Sequence, residues 1–162
     1  MAELSIWHAL IALLASPLDP AEVWRVQARF DLEVGKAEQA GAGNLPDAAG
    51  LALLEALVEE APRPPANGWW LCMQVDWKAW DEVEWQARRL ARTHGLPGEF
   101  GLGPDIQTVE AALAAFAAWL ARFGFTYQVW ERGEDAHYGF VLPEAAAPEF
   151  RRLAWQAGLV LG

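Results

Sequence analysis

The sequence predicts an α+β domain: helices in front, packed with a mostly antiparallel sheet. Three observations carry that expectation. Residues 2–61 hold three helical patterns and no strand pattern. An apolar, aromatic-rich run, Trp69 to Val75, follows the turn signal Asn67-Gly68 and gives way at Trp80 to helical spacing. Two short strand patterns, Phe125–Trp130 and Tyr138–Leu142, flank a glycine-containing hairpin loop, residues 131–137. From Gly68 onward the order reads strand, helix, helix, strand, strand, helix and a last short strand. That order is related to the ferredoxin-like plan with one helix added. One crossover helix makes the flanking strands parallel, whereas two consecutive helices return the chain and make them antiparallel, unless a strand hides near Phe100.

At the front of the chain, residues 2–15 are apolar nearly all round (Leu4, Ile6, Trp7, Leu10, Ile11, Leu13, Leu14), so this helix must be covered by the chain or by a second copy. Asp19-Pro20-Ala21-Glu22 opens a second helix, with Asp19 capping and Pro20 at the first helical position. It runs to about Ala40 with Val23, Val26, Phe30, Val34 and Ala37 inward. A third helix is expected from Pro46 or Asp47 to Ala61, with Leu51, Leu54, Leu57 and Val58 inward. Pro62 to Gly68 is the one linker-like stretch. The first of the front helices is too apolar to stand alone, so residues 1–162 read as one domain. Within it, residues 1–61 are helical and residues 68–162 are α+β.

Beyond the linker, Asp76 stands between the apolar run and the next helix, where its carboxylate is expected to cap a helix starting near Trp77. Trp80, Val83, Ala87, Leu90 and Ala91 share one face of that helix. Glu84 and Arg88 form an i,i+4 pair, and His94 sits at the helix end as a dipole-complementing residue. Asp105 is expected to cap a helix over 106–123, and a final helix runs from Glu144 to Gln156.

Composition limits function. Net charge is −10 and the isoelectric point is about 4.7. Arg88, Arg89 and Arg92 form the one basic group, so nucleic acid is not an expected partner. Cys72 is the only cysteine, which excludes an internal disulfide, and it reads as a core residue. The apolar run 6–15 is too short to span a bilayer and no basic leader precedes it, so the expectation is a cytoplasmic protein with no membrane contact. Ten Arg against two Lys, with abundant Ala, is the pattern of GC-rich bacterial coding.

No phosphate loop, nucleophile elbow or metal-ligand spacing occurs. No catalytic residue, metal or cofactor is assigned, and the chain leans away from an enzyme. The carboxylates Asp76, Asp81 and Glu84 read as a cap and solvated faces rather than an acid/base pair. His137, in the hairpin, reads as solvated rather than as a metal ligand with Glu134, Asp135 or Asp76. Trp77 and Trp85 lie off the core stripe of their helix. Either the rest of the chain covers them, which is the expectation, or they form an aromatic patch for a partner. The candidate binding residues are therefore Trp77, Lys78, Trp85 and His137, with Asp76 as a structural cap.

The step Val75-Asp76-Trp77-Lys78 followed by Glu84-Trp85, the helix end from Phe116 to Gly124 and the strand Tyr138–Leu142 resemble an uncharacterised bacterial protein family of unknown function, over residues 69–142. That resemblance implies no activity, cofactor or catalytic residue. The leading reading is a non-enzymatic interaction or regulatory domain, with a protein partner or a homodimer through helix 2–15. The alternative is a small enzyme or small-molecule binder with a pocket near Asp76, Lys78 and His137.

Overall fold

In a computed structural model, residues 2–41, 45–58, 68–97 and 99–162 are described. Their elements are α1 (Ala2–Leu14), α2 (Pro20–Gln39), α3 (Leu45–Ala56), β1 (Met73–Asp76), α4 (Glu82–Thr93), α5 (Val109–Ala121), β2 (Phe125–Glu131), β3 (Ala136–Pro143), α6 (Ala147–Ala157) and β4 (Val160–Leu161), with a 3-10 turn at Glu144–Ala146. The sheet order is β1-β3-β2-β4 and every pair is antiparallel. Two helices, α4 and α5, lie between β1 and β2, yet these strands are not antiparallel as the helix count suggested. Both run antiparallel to β3, which lies between them, so they are parallel to each other and α4–α5 form a crossover. The stretch around Phe100 is a loop that buries the Phe100 ring, not a strand.

Alternation along β3 splits the interior in two. Phe140 and Leu142 face a core built with α1, α2, α3 and α6, whereas Val141 faces a second core built with α4 and α5. The apolar first helix is thereby explained. Trp7, Leu10, Ile11 and Leu14 are buried within the chain, stacked on Phe30 of α2 and against the α6 layer. A homodimer through helix 2–15 loses its motive, because that apolar surface is already covered. Asp19 caps α2, its carboxylate accepting the Glu22 N–H at 2.9 Å.

Several boundaries shift for identifiable reasons. The strand starts at Met73, not Trp69, because other groups take the preceding amides. The Leu71 N–H donates to the Leu57 carbonyl, and the Trp70 N–H donates to the Thr93 hydroxyl. In α3 the inward residues are Ala48, Ala49, Ala52, Leu53 and Ala56, while Leu51 is exposed. The helix turns its small side to the core, a choice that apolar spacing alone does not make. Its expected end at Ala61, the Gly41–Asn44 loop beyond Gly41 and the 62–67 linker lie outside the described residues. Helix α5 starts at Val109, capped by the Thr108 hydroxyl accepting the Ala111 N–H at 3.1 Å, so Asp105 is not its cap. Among the described residues no helix is long and apolar enough to cross a membrane.

Candidate functional site

The segment 76–85 joins the edge strand β1 to α4 beside the tip of the β2–β3 hairpin. Its register is fixed by pairing: Val75 lies opposite His137 and Asp76 opposite Ala136. The Trp77 N–H then donates to the Asp135 carbonyl at 3.2 Å. Asp76 does not cap α4, whose first residue is Glu82. Its carboxylate accepts the Lys78 N–H at 3.0 Å and its carbonyl accepts the Ala79 N–H at 2.9 Å. Asp76 therefore closes an Asx turn, the local alternative that an aspartate offers the backbone. The position before α4 is Asp81, which makes no side-chain cap bond.

Both indoles of the segment face outward, Trp77 from the turn and Trp85 from the first turn of α4. Trp77 is 52% exposed and Trp85 40% exposed, so the expected cover from the front helices is absent. The reason is topological: the front helices pack on the opposite face of the sheet from α4. The Lys78 ammonium lies over the Trp77 ring, 4.6 Å from its centroid. The Trp85 indole N–H donates to Glu82, and the ring meets Trp70 edge-on at 5.3 Å. Arg89 covers Trp70 in turn, 4.7 Å from the ring centre. Asp76, Asp81 and Glu82 are exposed in the same segment. The surface thus combines aromatic faces with carboxylates, and one of its rings already carries a cation.

His137 does not join this group. Cross-strand partners share a face, so His137 lies with Val75 on the α4/α5 side, 3.6 Å from Glu110 of α5. Asp76, one residue on, belongs to the other face. A pocket converging Asp76, Lys78 and His137 is not formed by these positions. Among the described residues no group of three or more His, Cys, Asp or Glu is placed to hold a metal ion.

A cleft of about 230 Å³ lies elsewhere, between α3, the β2 end and β4, lined in part by Trp7, Asp47, Trp130, Glu131 and Arg132. The Arg132 side chain is 13% exposed, with its guanidinium 4.8 Å from the Trp130 ring centre and 5.5 Å from that of Tyr138. It pairs with Glu134 at 3.1 Å, and the Tyr138 hydroxyl donates to the same carboxylate at 2.6 Å. The hydroxyl bond and the arginine hold the Glu134 carboxyl below its usual range. Burial, reinforced by Glu134, pushes the Tyr138 hydroxyl up to about 12. This arginine fork ties the hairpin strands together and packs against Gly50 of α3, where a Cβ would stand 2.8 Å from the guanidinium. Extending the β2 alternation by two residues, from Trp130 to Arg132, is the signal that points to it.

Three residues behave differently from their sequence reading. Glu84 and Arg88 do pair, at 3.1 Å, but they also hold the loop before α5. Glu84 accepts the Leu102 N–H at 2.9 Å and Arg88 donates to the Phe100 carbonyl at 2.7 Å. His94 is no dipole-complementing cation. Burial against Phe125, with ring centres 5.5 Å apart, holds its pKa down at about 4, so it is neutral near pH 7. An unfolded histidine titrates near 6.5. Between those values the unfolded chain binds the extra proton, so stability is full above pH 6.5 and falls as pH drops towards 4. We expect a loss on the order of 3 kcal/mol across that window. Urea midpoints from pH 7.5 to 4.5 measure it. His94→Gln should flatten the slope, and an unchanged slope would assign the loss to other groups.

The fold is an α+β sandwich with helices on both sheet faces, and its most distinctive surface is aromatic and acidic. The chain belongs to the DUF6630 family, a domain of unknown function, which matches residues 6–161. No curated protein and no solved structure matches the chain.

Proposed function

We propose that this is a non-enzymatic, cytoplasmic interaction domain that docks a basic segment of a partner protein on the 76–85 surface. The observation that carries the reading is the exposure of Trp77 and Trp85 among Asp76, Asp81 and Glu82. Contiguous exposed apolar patches mark interaction sites, and tryptophan anchors dominate interface energetics. A ring face attracts a cation by about 0.5–1 kcal/mol when exposed and about 2 kcal/mol when desolvated. Lys78 over Trp77 occupies one such face within the chain, and an incoming arginine competes for it or stacks on Trp85. The −10 net charge draws a basic segment in and repels an acidic one. It also opposes DNA and RNA, which we do not propose as partners.

The test is fluorescence anisotropy with labelled arginine-rich and glutamate-rich peptides. The arginine-rich peptide should bind saturably and weaken with added salt. Replacing Trp77 and Trp85 together by alanine should weaken it roughly 5- to 30-fold, the equivalent of about 1–2 kcal/mol. Trp155→Ala removes an exposed indole on α6 and should change nothing. Equal loss in both variants, or no preference for the basic peptide, would overturn the proposal.

A further inference from the structure

Helix α2 carries two apolar stripes on opposite sides. Val26, Phe30 and Val34 are buried, whereas Ala21, Trp24, Ala28 and Leu32 are exposed, Trp24 by 70% and Leu32 by 59%. Gly35 continues the outer stripe, and a Cβ there would meet nothing within 4 Å. At 3.6 residues per turn, Ala21, Trp24, Ala28, Leu32 and Gly35 fall within an arc of about 80°. A helix with one core needs only one such stripe.

The outer stripe is symmetric about Ala28. Trp24 and Leu32 stand four residues to either side, and Ala21 and Gly35 seven. We propose that this face pairs with the same face of a second copy, the two α2 helices antiparallel across a two-fold axis at Ala28. That operation sets Trp24 of one copy level with Leu32 of the other, on opposite sides of the contact line, so the large side chains fill the space beside the small central Ala28. It sets Ala21 level with Gly35, where small residues let the backbones approach.

The nearby charges are paired within each copy, Glu22 with Arg25 at 2.7 Å and Glu33 with Lys36 at 2.9 Å. At 100° per residue both carboxylates lie about 120–140° from Ala28, turned towards the buried side, so neither stands on the apolar contact line. The contact is self-complementary, as a two-fold interface requires. It is also small, at the low end of specific interfaces, so association should be reversible. It uses none of the 76–85 surface, and the two proposals stand or fall separately.

The experiment is sedimentation equilibrium of the full chain from about 1 to 200 µM, a range suited to a weak interface, with cysteine cross-linking alongside. The wild-type mass should rise towards twice the monomer with concentration, and Trp24→Glu should stay monomeric with an unchanged far-UV spectrum. Ala28→Cys should form a disulfide-linked dimer on mild oxidation at least tenfold faster than Trp155→Cys, an exposed position on α6. The native Cys72 is buried and does not interfere. A wild-type chain that stays monomeric over the whole range overturns the proposal. So does a dimer that survives Trp24→Glu, or Ala28→Cys cross-linking no faster than Trp155→Cys.

Discussion

Gly139→Ala should be among the most damaging single changes in the protein, costing about 3 kcal/mol or more. Gly139 lies in the central strand β3, opposite Met73 of β1 and Val129 of β2. Its φ is not in the left-handed region, so the constraint is space. Tyr127, two places along β2 from Val129, lays its ring diagonally over Gly139. A Cβ at Gly139 would stand 2.1 Å from the Tyr127 hydroxyl and 2.2 Å from its Cζ. The ring cannot retreat easily, because it packs on Phe116 of α5 at 6.0 Å. Urea midpoints of Gly139→Ala and of the pair with Tyr127→Leu test the cause. The second change should cost much less in the Gly139→Ala background than alone, a coupling above about 1 kcal/mol. Independent effects would show that the ring contact is not the reason. The Tyr127 hydroxyl is buried with no hydrogen-bond partner, and burial raises its pKa. Tyr127→Phe, unlike Tyr127→Leu, should therefore be neutral or stabilising.

What the sequence showed and what it hid differ in kind. Periodicity located every helix and strand among the described residues, because burial of one face is a local pattern. It found the buried side of α2 at Val26, Phe30 and Val34, and the hairpin strands to within about two residues at each end. It failed where the outcome depended on a partner far along the chain. Trp69 to Cys72 read as strand, yet the amides of Trp70 and Leu71 go to Thr93 and Leu57. Leu51 read as core, yet α3 presents its alanines inward. Asp76 read as a helix cap because an aspartate before a helical pattern usually is one. The same carboxylate serves an Asx turn equally well, and only the start of α4 at Glu82 separates the two.

The candidate surface was legible in its local features. Asp76, Trp77, Lys78 and Trp85 are all exposed within one ten-residue segment, and Lys78 lies over Trp77. His137 was joined to them by hairpin proximity, but the strand register places it on the other sheet face beside Glu110. Exposure of the indoles could not be read locally. It depends on which sheet face the front helices choose, and they choose the one away from α4. The Arg132 fork was missed for a related reason: a charged residue in a hairpin loop reads as solvated until the rings of Trp130 and Tyr138 close around it.

Gln86→Leu should cost about 2–4 kcal/mol and loosen the edge of the sheet, since each unpaired buried polar group costs about 1–3 kcal/mol. β1 pairs with β3 on one side and would present bare backbone on the other. Gln86 of α4 fills that place. Its carbonyl accepts the Gln74 N–H at 2.8 Å, and its amide donates to the Gln74 carbonyl at 2.7 Å. One side chain thus imitates a neighbouring strand, and it does so buried, on the same helix face as Val83, Ala87 and Leu90. Leucine keeps the volume and removes both bonds, leaving the Gln74 N–H and carbonyl without partners. An unpaired strand edge also invites pairing with another chain, so the variant should aggregate more readily on warming. Amide hydrogen exchange reads the effect at its source. The Gln74 amide should be well protected in the wild type and exchange much faster in the variant, while the β2–β3 amides keep their protection relative to the new global stability. If the Gln74 amide stays protected and the urea midpoint does not move, the clamp contributes nothing and another group satisfies that edge.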